Sequence, residues 1–271
     1  MSNPQSANSA FLRGLMRGPS GHDERLVPEL ADSANLAMHL KRYTLALQHC
    51  HGKIVVDAGA GVGYGAAMIA TVAKYVYAMD YDPCAVHYGS INRAANVSWS
   101  VGDVANLPYQ SAFADVVISF EVIEHVHDHR ALLAEAARVL KTDGSLVLST
   151  PNTATATLFR RTAGFTYDAH VSEVGLAALR NELTRYFADV KILGMRMRGN
   201  RVYEVLRAVD VFNLRLRILP SREIAFAREK LFGIPARGIT TDNVVVSHRQ
   251  LRQANHFLAL CTSKRAGPSD R

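Results

Sequence analysis

The first half of the chain alternates short apolar runs with segments of helical period. "KIVVDAG" (53–59), "YVYAMD" (75–80), "VSWSVGD" (97–103), "ADVVISF" (114–120) and "SLVLSTPN" (145–152) read as strands. Between them, "GYGAAMIATVA" (63–73), "PCAVHYGSINRAA" (83–95) and residues 129–141, ending near "KTDG", read as helices. A nearly continuous apolar strand needs cover on both faces. The rhythm therefore predicts an α/β fold with an open, mostly parallel sheet and helices on both sides. In such sheets ligands bind beyond the carboxyl ends of the strands, where the loops gather.

After Pro151 the rhythm changes. Residues 153–170 lack a clear period and are expected to form a lid over the strand ends. A helix near 172–187, a strand "DVKILGMRM" (189–197) and a last strand "HFLALCTS" (256–263) return to the core pattern. The segment 198–255 is too long for a hairpin loop and predicts an insertion with its own structure. Helices near 201–213 and 221–231 and a short extended piece at 239–248 are expected within it. At the other end, residues 1–22 are rich in Ser, Asn, Gly and Pro and predict a flexible tail, followed by a cap helix over 32–49. The whole reads as one domain over 1–271.

Charge adds one asymmetry. The chain of 271 residues carries a formal net charge of +7, but residues 1–150 hold 11 Lys and Arg against 14 Asp and Glu, and residues 151–271 hold 20 against 10. The basic back half suits an anionic partner or is simply a solvated basic face. Cys50, Cys84 and Cys261 show no paired or metal-like spacing. Cys50 and Cys261 read as buried small hydrophobes, a reducing, cytoplasmic setting is expected, and no metal is expected. The amino terminus lacks the pattern of a signal peptide, and no uncharged apolar run reaches membrane-spanning length, so no transmembrane segment is expected. The nearest, 201–219, is interrupted by Arg, Glu and Asp and reads as a partly exposed helix.

The chemistry concentrates in "VVDAGAGVGYG" (55–65). Glycines there permit a tight turn and close backbone approach, the arrangement that meets a pyrophosphate in dinucleotide-binding proteins. Asp57, however, stands just before Gly59, where a carboxylate repels phosphate and welcomes a cationic group. Asp80 follows the loop by about twenty residues, the distance at which an acid meets ribose hydroxyls. A carboxylate with both oxygens free suits that task. Asp103, after the third strand, could accept from an exocyclic adenine amine with Val104 beside the ring. The three strand-end acids together predict a nucleoside site.

With these motifs in order, the chain resembles the class I S-adenosylmethionine-dependent methyltransferases. The resemblance runs continuously over about residues 50–152 through "VVDAGAGVGYG", "YAMDYDP", "GDVANLPY", "ADVVISFEVIEHV" and "RVLKTDGSLVLSTPN". It implies a Rossmann-like, seven-stranded sheet with an N-terminal helical cap and an insertion before the last strand. It also implies S-adenosyl-L-methionine as cofactor. Carried over by position, Asp57, Gly59, Gly61 and Gly63 belong with the methionine part, Asp80 with ribose and Asp103 with adenine. Ala60, Tyr81, Val104 and Phe120 are their neighbours in the cofactor site. "FEVIEHV" is similar to the branch acting on small molecules such as quinone precursors and sugars. "ERLVPEL", "HLKRY" and "ITTDNVVVSHRQLRQANHFLALC" are similar to a subset associated with sugar modification. The Asp/Asn-Pro-Pro-Tyr/Phe segment of amino-methylating DNA enzymes is replaced by "SFEVIEH", which speaks against DNA.

A sulfonium methyl is already electrophilic, so the remaining tasks are to align an acceptor, exclude water and remove a proton. His125 is the leading candidate near the transfer point, as base or as site lining, with Glu121 and Glu124 on the same loop and His127 nearby. Asn152 is expected to face the acceptor. His170 and Glu173 form a second polar pair, His170 as a catalytic candidate and Glu173 as a substrate contact. His39, Arg42 and Tyr43 are expected to line the cleft, with Arg42 available to an acceptor phosphate or carboxylate. Tyr64 is expected to pack over the cofactor. The expected reaction is methyl transfer to an oxygen or nitrogen of a small acceptor, anionic or sugar-linked. RNA or protein methylation by the basic half, and a non-catalytic partner role, are the competing readings. The chain is expected as a monomer or homodimer.

Overall fold

Adjacent valines at 55 and 56 are both fully buried, and each belongs to a different hydrophobic cluster. That is the signature of a strand covered on both faces. The computed structural model describes residues 4–17, 25–91, 94–155, 174–199, 239–249 and 251–265. Eight strands form one sheet: β1 Ile54–Ala58, β2 Tyr75–Asp80, β3 Val97–Val101, β4 Ala114–Phe120, β5 Leu140–Pro151, β6 Phe187–Met197, β7 Val244–Ser247 and β8 His256–Lys264. Their order is β3-β2-β1-β4-β5-β8-β6-β7. β1 to β5 pair in parallel, and β8 lies antiparallel between β5 and β6.

The sheet thus has the Rossmann-like, mostly parallel form expected, with one strand more than the seven anticipated. The extra strand, β7, comes from the insertion and pairs antiparallel with β6 at the sheet's edge. Its run of three valines suits a strand. The expected lid beyond residue 155, the expected helices at 201–213 and 221–231, and the stretch 201–219 lie outside the described residues.

On one face pack α2 (Ser33–Cys50) and α3 (Tyr64–Ala70), through Ala37, Met38, Ala46, Ala66 and Ile69. On the other pack α5 (His129–Val139) and α6 (Leu176–Tyr186), through Leu132, Leu133, Leu179 and Leu183. A further helix, α4 (Pro83–Ile91), follows β2. α2 begins where Asp32 caps it, its Oδ1 accepting from Ala34 N and Asn35 N at 3.1 and 2.9 Å, an arrangement worth about 1 kcal/mol. Cys50 and Cys261 are buried free thiols, and burial pushes both up to about 12. Among the described residues no helix is long and apolar enough to cross a membrane.

The tail expected to be flexible instead contains α1 (Pro4–Arg17). Leu12 and Leu15, three apart and so on one helical face, are buried with Val27 and Val62. The polar composition around them hides this stripe, and its partner Val62 sits in the glycine loop far along the chain.

Candidate active site

Three glycines with left-handed backbone set the turn after β1: Gly59 (φ 86°), Gly61 (φ 55°) and Gly63 (φ 88°). Side chains are strained in that conformation, and two of the positions also lack space. A Cβ on Gly59 would run into Val122, and one on Gly63 into the ring of Trp99. The expectation that Gly63 meets a ligand therefore gives way to a packing role.

The loop's amides are turned inward. Gly59 N and Ala60 N both donate to the Met79 carbonyl at 2.8 Å, and Gly63 N donates to that of Ala60 at 3.1 Å. Gly61 N donates to Asp80 Oδ2 at 2.8 Å. A phosphate cradle needs such N–H groups for the anion. Here they are engaged within the protein, one of them by a carboxylate, so the loop favours a neutral or cationic ligand over a phosphate.

In front of the loop lies a cavity of about 820 Å³. Gly59, Ala60 and Gly61 form one wall, Asp80 and Tyr81 follow β2, and Asp103 and Val104 follow β3. Phe120, Glu121 and His125 stand at and beyond the end of β4, and His39 and Tyr43 reach in from α2. Asp80 is more occupied than its expected role requires. Its Oδ1 accepts from Arg25 Nη2 at 3.3 Å and Asp82 N at 3.1 Å, while Oδ2 holds Gly61 N. The two free oxygens anticipated are therefore not both free. Oδ2 retains one acceptor direction, because a carboxylate oxygen offers about two. Arg25 also donates from Nη1 to Asp82 Oδ2 and to the Leu15 carbonyl, both at 2.9 Å. It thereby ties the end of α1 to the end of β2.

Asp57 is fully buried behind the cavity wall. Burial pushes its pKa up to about 7, with Asp80 adding to the rise and the Tyr43 hydroxyl, 3.4 Å from each carboxylate oxygen, opposing it.

At the α2 side of the cavity stands a polar cluster centred on Glu121. This residue holds a left-handed backbone (φ 56°) without being glycine, a strain of roughly 1 kcal/mol or more. Its Oε1 accepts from Ser149 Oγ at 2.8 Å. Its Oε2 lies 2.8 Å from His256 Nδ1 and 3.1 Å from Arg42 Nη2. Burial opposes ionisation, but Arg42 and then His256 outweigh it and hold the carboxyl far below the usual range. Arg42 is fully buried, and Glu121 is its ion-pair partner among the described residues. Glu124, also buried, accepts from Thr150 Oγ1 at 3.1 Å. Burial and the neighbouring Glu121 charge push its carboxyl well up. Burial and Arg42 lower His39 to about 3, so this imidazole is neutral. Its Nδ1 lies 2.8 Å from the Tyr64 hydroxyl.

A family profile described as a methyltransferase domain matches residues 56–148. A Mycobacterium tuberculosis protein named a "probable S-adenosylmethionine-dependent methyltransferase" is 36% identical over 200 residues, covering 73% of this chain and 68% of the relative. The chain belongs to the S-adenosylmethionine-dependent methyltransferases. A ubiquinone biosynthesis O-methyltransferase of Xanthomonas oryzae pv. oryzae is 31% identical over 133 residues, 48% of this methyltransferase and 56% of the relative. In fold, the methyltransferase is similar to a solved SAM-dependent methyltransferase of Thermotoga maritima. The TM-score is 0.56 at 15% identity, with 84% of this chain and 91% of that one covered.

The site fits the cofactor of that family, S-adenosyl-L-methionine, on its own chemistry. Acids on two successive strand ends can accept from hydroxyl and amine groups, Tyr81, Val104 and Phe120 offer flat or apolar faces, and the amides of Gly59, Ala60, Gly61 and Gly63 are spent within the protein. Of the residues singled out in the sequence, the cavity of the methyltransferase brings together His39, Tyr43, Gly59, Ala60, Gly61, Asp80, Tyr81, Asp103, Val104, Phe120, Glu121 and His125. Asp57, Gly63, Arg42, Glu124 and Asn152 do not line it. Arg42, expected to reach an acceptor anion, is instead the buried counterion of Glu121. Asn152, expected to face the acceptor, is buried with its Nδ2 donating to the Ala254 and Arg252 carbonyls at 2.8 and 3.3 Å. It clamps the turn before β8. His170 and Glu173 lie outside the described residues.

Arg25, Val122 and His256 belong to the site's surroundings without having been singled out. Arg25 lies in "ERLVPEL" and His256 opens the last strand, and neither position carries a local chemical pattern. Only the tertiary fold brings them to Asp80 and Glu121.

Proposed function

We propose that this methyltransferase moves the methyl group of S-adenosyl-L-methionine to a hydroxyl oxygen of a small, sugar-containing or otherwise polyhydroxylated metabolite. The observation that carries the reading is the Glu121 cluster at the cavity. Glu121 is held ionised against the buried Arg42, while burial disfavours charge on Glu124 and His39. A carboxylate at the cavity suits a neutral hydroxyl donor better than an acceptor phosphate or carboxylate, which Glu121 would repel. The name of the ubiquinone biosynthesis O-methyltransferase among the relatives supports oxygen as the atom methylated.

In this reading Asp80 and Asp103 hold the nucleoside through its hydroxyls and exocyclic amine. Gly59 to Gly61 pass close to the methionine part, and Asp57 supplies negative charge beneath it. When bound, the cofactor supplies a methyl group on a positively charged sulfur, so the chain needs no nucleophile of its own. Glu121 accepts the acceptor's hydroxyl hydrogen and orients its oxygen, and His125 lines the opposite side. Radiolabelled methyl donor, offered with neutral sugars, phenols, phosphorylated sugars and RNA in separate reactions, tests this. Label in an ether of a neutral hydroxyl compound is expected. Label confined to nitrogen, to phosphorylated acceptors or to RNA would replace the reading.

A further inference from the structure

His256 does not line the cavity, yet at 2.8 Å it stands as near to the Glu121 carboxylate as Ser149 does. It opens β8, pairing with Pro151 on β5 and Met195 on β6, and so stands at the carboxyl end of the sheet. The turn that delivers it is pinned on both sides. Asn152 N donates to the Asn255 carbonyl at 2.8 Å, Asn255 N donates to the Met195 carbonyl at 2.9 Å, and the Asn152 side chain grips residues 252 and 254. Nδ1 is buried 2.8 Å from Glu121 Oε2, a close charge contact in which the N–H does not point straight at the oxygen, whereas 22% of the side chain remains exposed, so the exposure lies on the rest of the ring. Glu121 is thus approached by three polar groups from three elements: Ser149 on β5, Arg42 on α2 and His256 on β8.

The geometry points to His256 as a positioning residue for methyl transfer, acting through Glu121: with Nδ1 packed 2.8 Å from Oε2, its ring braces the carboxylate that meets the acceptor hydroxyl. The inference rests on the hydroxyl-acceptor reading above. Its chemistry explains why direction matters more than basicity. As the oxygen–carbon bond forms, the sulfur–carbon bond breaks with its electron pair passing to sulfur, and positive charge grows on the acceptor oxygen. The O–H bond then breaks with its pair staying on oxygen, and the proton passes to the carboxylate. A proton on such an oxygen is far more acidic than a carboxylic acid. A weakly basic Glu121 therefore suffices if it is held in line, and an imidazole N–H against Oε2 stabilises the tautomer that holds it so.

Two variants and one spectrum test this. His256→Asn keeps an N–H donor near the position of Nδ1, and His256→Leu removes it at similar bulk. With S-adenosylhomocysteine affinity as the folding control, H256L is expected to lose about tenfold or more in kcat with little change in KM, and H256N to stay within a few-fold of wild type. H256L at wild-type kcat, or H256N as impaired as H256L, overturns the role. Nitrogen-15 spectra of the neutral ring, assigned by the signal missing in H256N, are expected to place the proton on Nδ1. A proton on Nε2 instead overturns the pairing, whatever the acceptor proves to be. If wild type methylates no hydroxyl compound, the acceptor reading fails, and the spectrum still decides the Glu121–His256 contact independently.

Discussion

Asp57 is fully buried at the end of β1 with its pKa pushed up to about 7, so its charge changes within the ordinary working range. A cationic ligand in front of it gains from the charged form. Affinity for S-adenosylmethionine is therefore expected to weaken as pH falls below about 7, by at most about tenfold per pH unit for one proton exchanged. Asp57→Asn should flatten that slope, and calorimetric titration across the range measures it. An unchanged slope in D57N would remove Asp57 from charge contact with the cofactor. At this scale the sequence shows which acids gather but not how fully they are used. Asp80 and Asp103 are readable because strand ends and spacing place them. The demand that Arg25 makes on Asp80 is not, since the two stand 55 residues apart. Arg42 misleads for a related reason. A helical arginine beside a cleft looks accessible until the fold buries it against Glu121.

Among the elements, the core strands and helices follow the hydrophobic pattern closely, because each buries its own periodic residues. α1 escapes that logic, because its two-leucine stripe gains stability only against partners supplied elsewhere; β7 falls within the short extended piece expected at 239–248, but its place at the sheet's edge does not show in the pattern. Arg25 adds a polar link from α1 to the cofactor loop, through Asp80, beside the apolar contact of Leu12 and Leu15 with Val62. The side chains of Arg25, Asp80 and Asp82 are each only 7% exposed, so solvent screens these pairs little. Removing the guanidinium leaves two buried carboxylates unpaired, and Arg25→Ala is expected to lower stability by about 3 kcal/mol. Urea unfolding measures this, and hydrogen exchange should show faster opening at residues 25–31. A variant within about 0.5 kcal/mol of wild type, the ordinary range of a surface change, would reduce the bridge to an incidental contact.

Across the whole molecule, two buried groups bend the stability curve in opposite directions. Asp57 has a raised pKa, so its favourable contribution is complete below its unfolded value of about 4 and is lost as pH rises towards about 7. His39 has a lowered one: its contribution is complete above about 6.5 and is lost as pH falls towards about 3. Relative to wild type, Asp57→Asn should gain on the order of 1 kcal/mol per pH unit on going up through this window, and His39→Gln should gain similarly on going down. Chemical denaturation at several pH values checks both signs. Parallel curves for the variants and wild type would show that neither group is as desolvated as the fold implies. The position of β8 has a further consequence, for the order of assembly. The last strand in sequence lies inside the sheet, bridging β5 to β6. Until it is inserted, the β6–β7 pair has no ladder hydrogen bonds to the first five strands, and β5 presents an open edge to other chains. Because β8 also carries His256, closing the sheet and completing the site become one event.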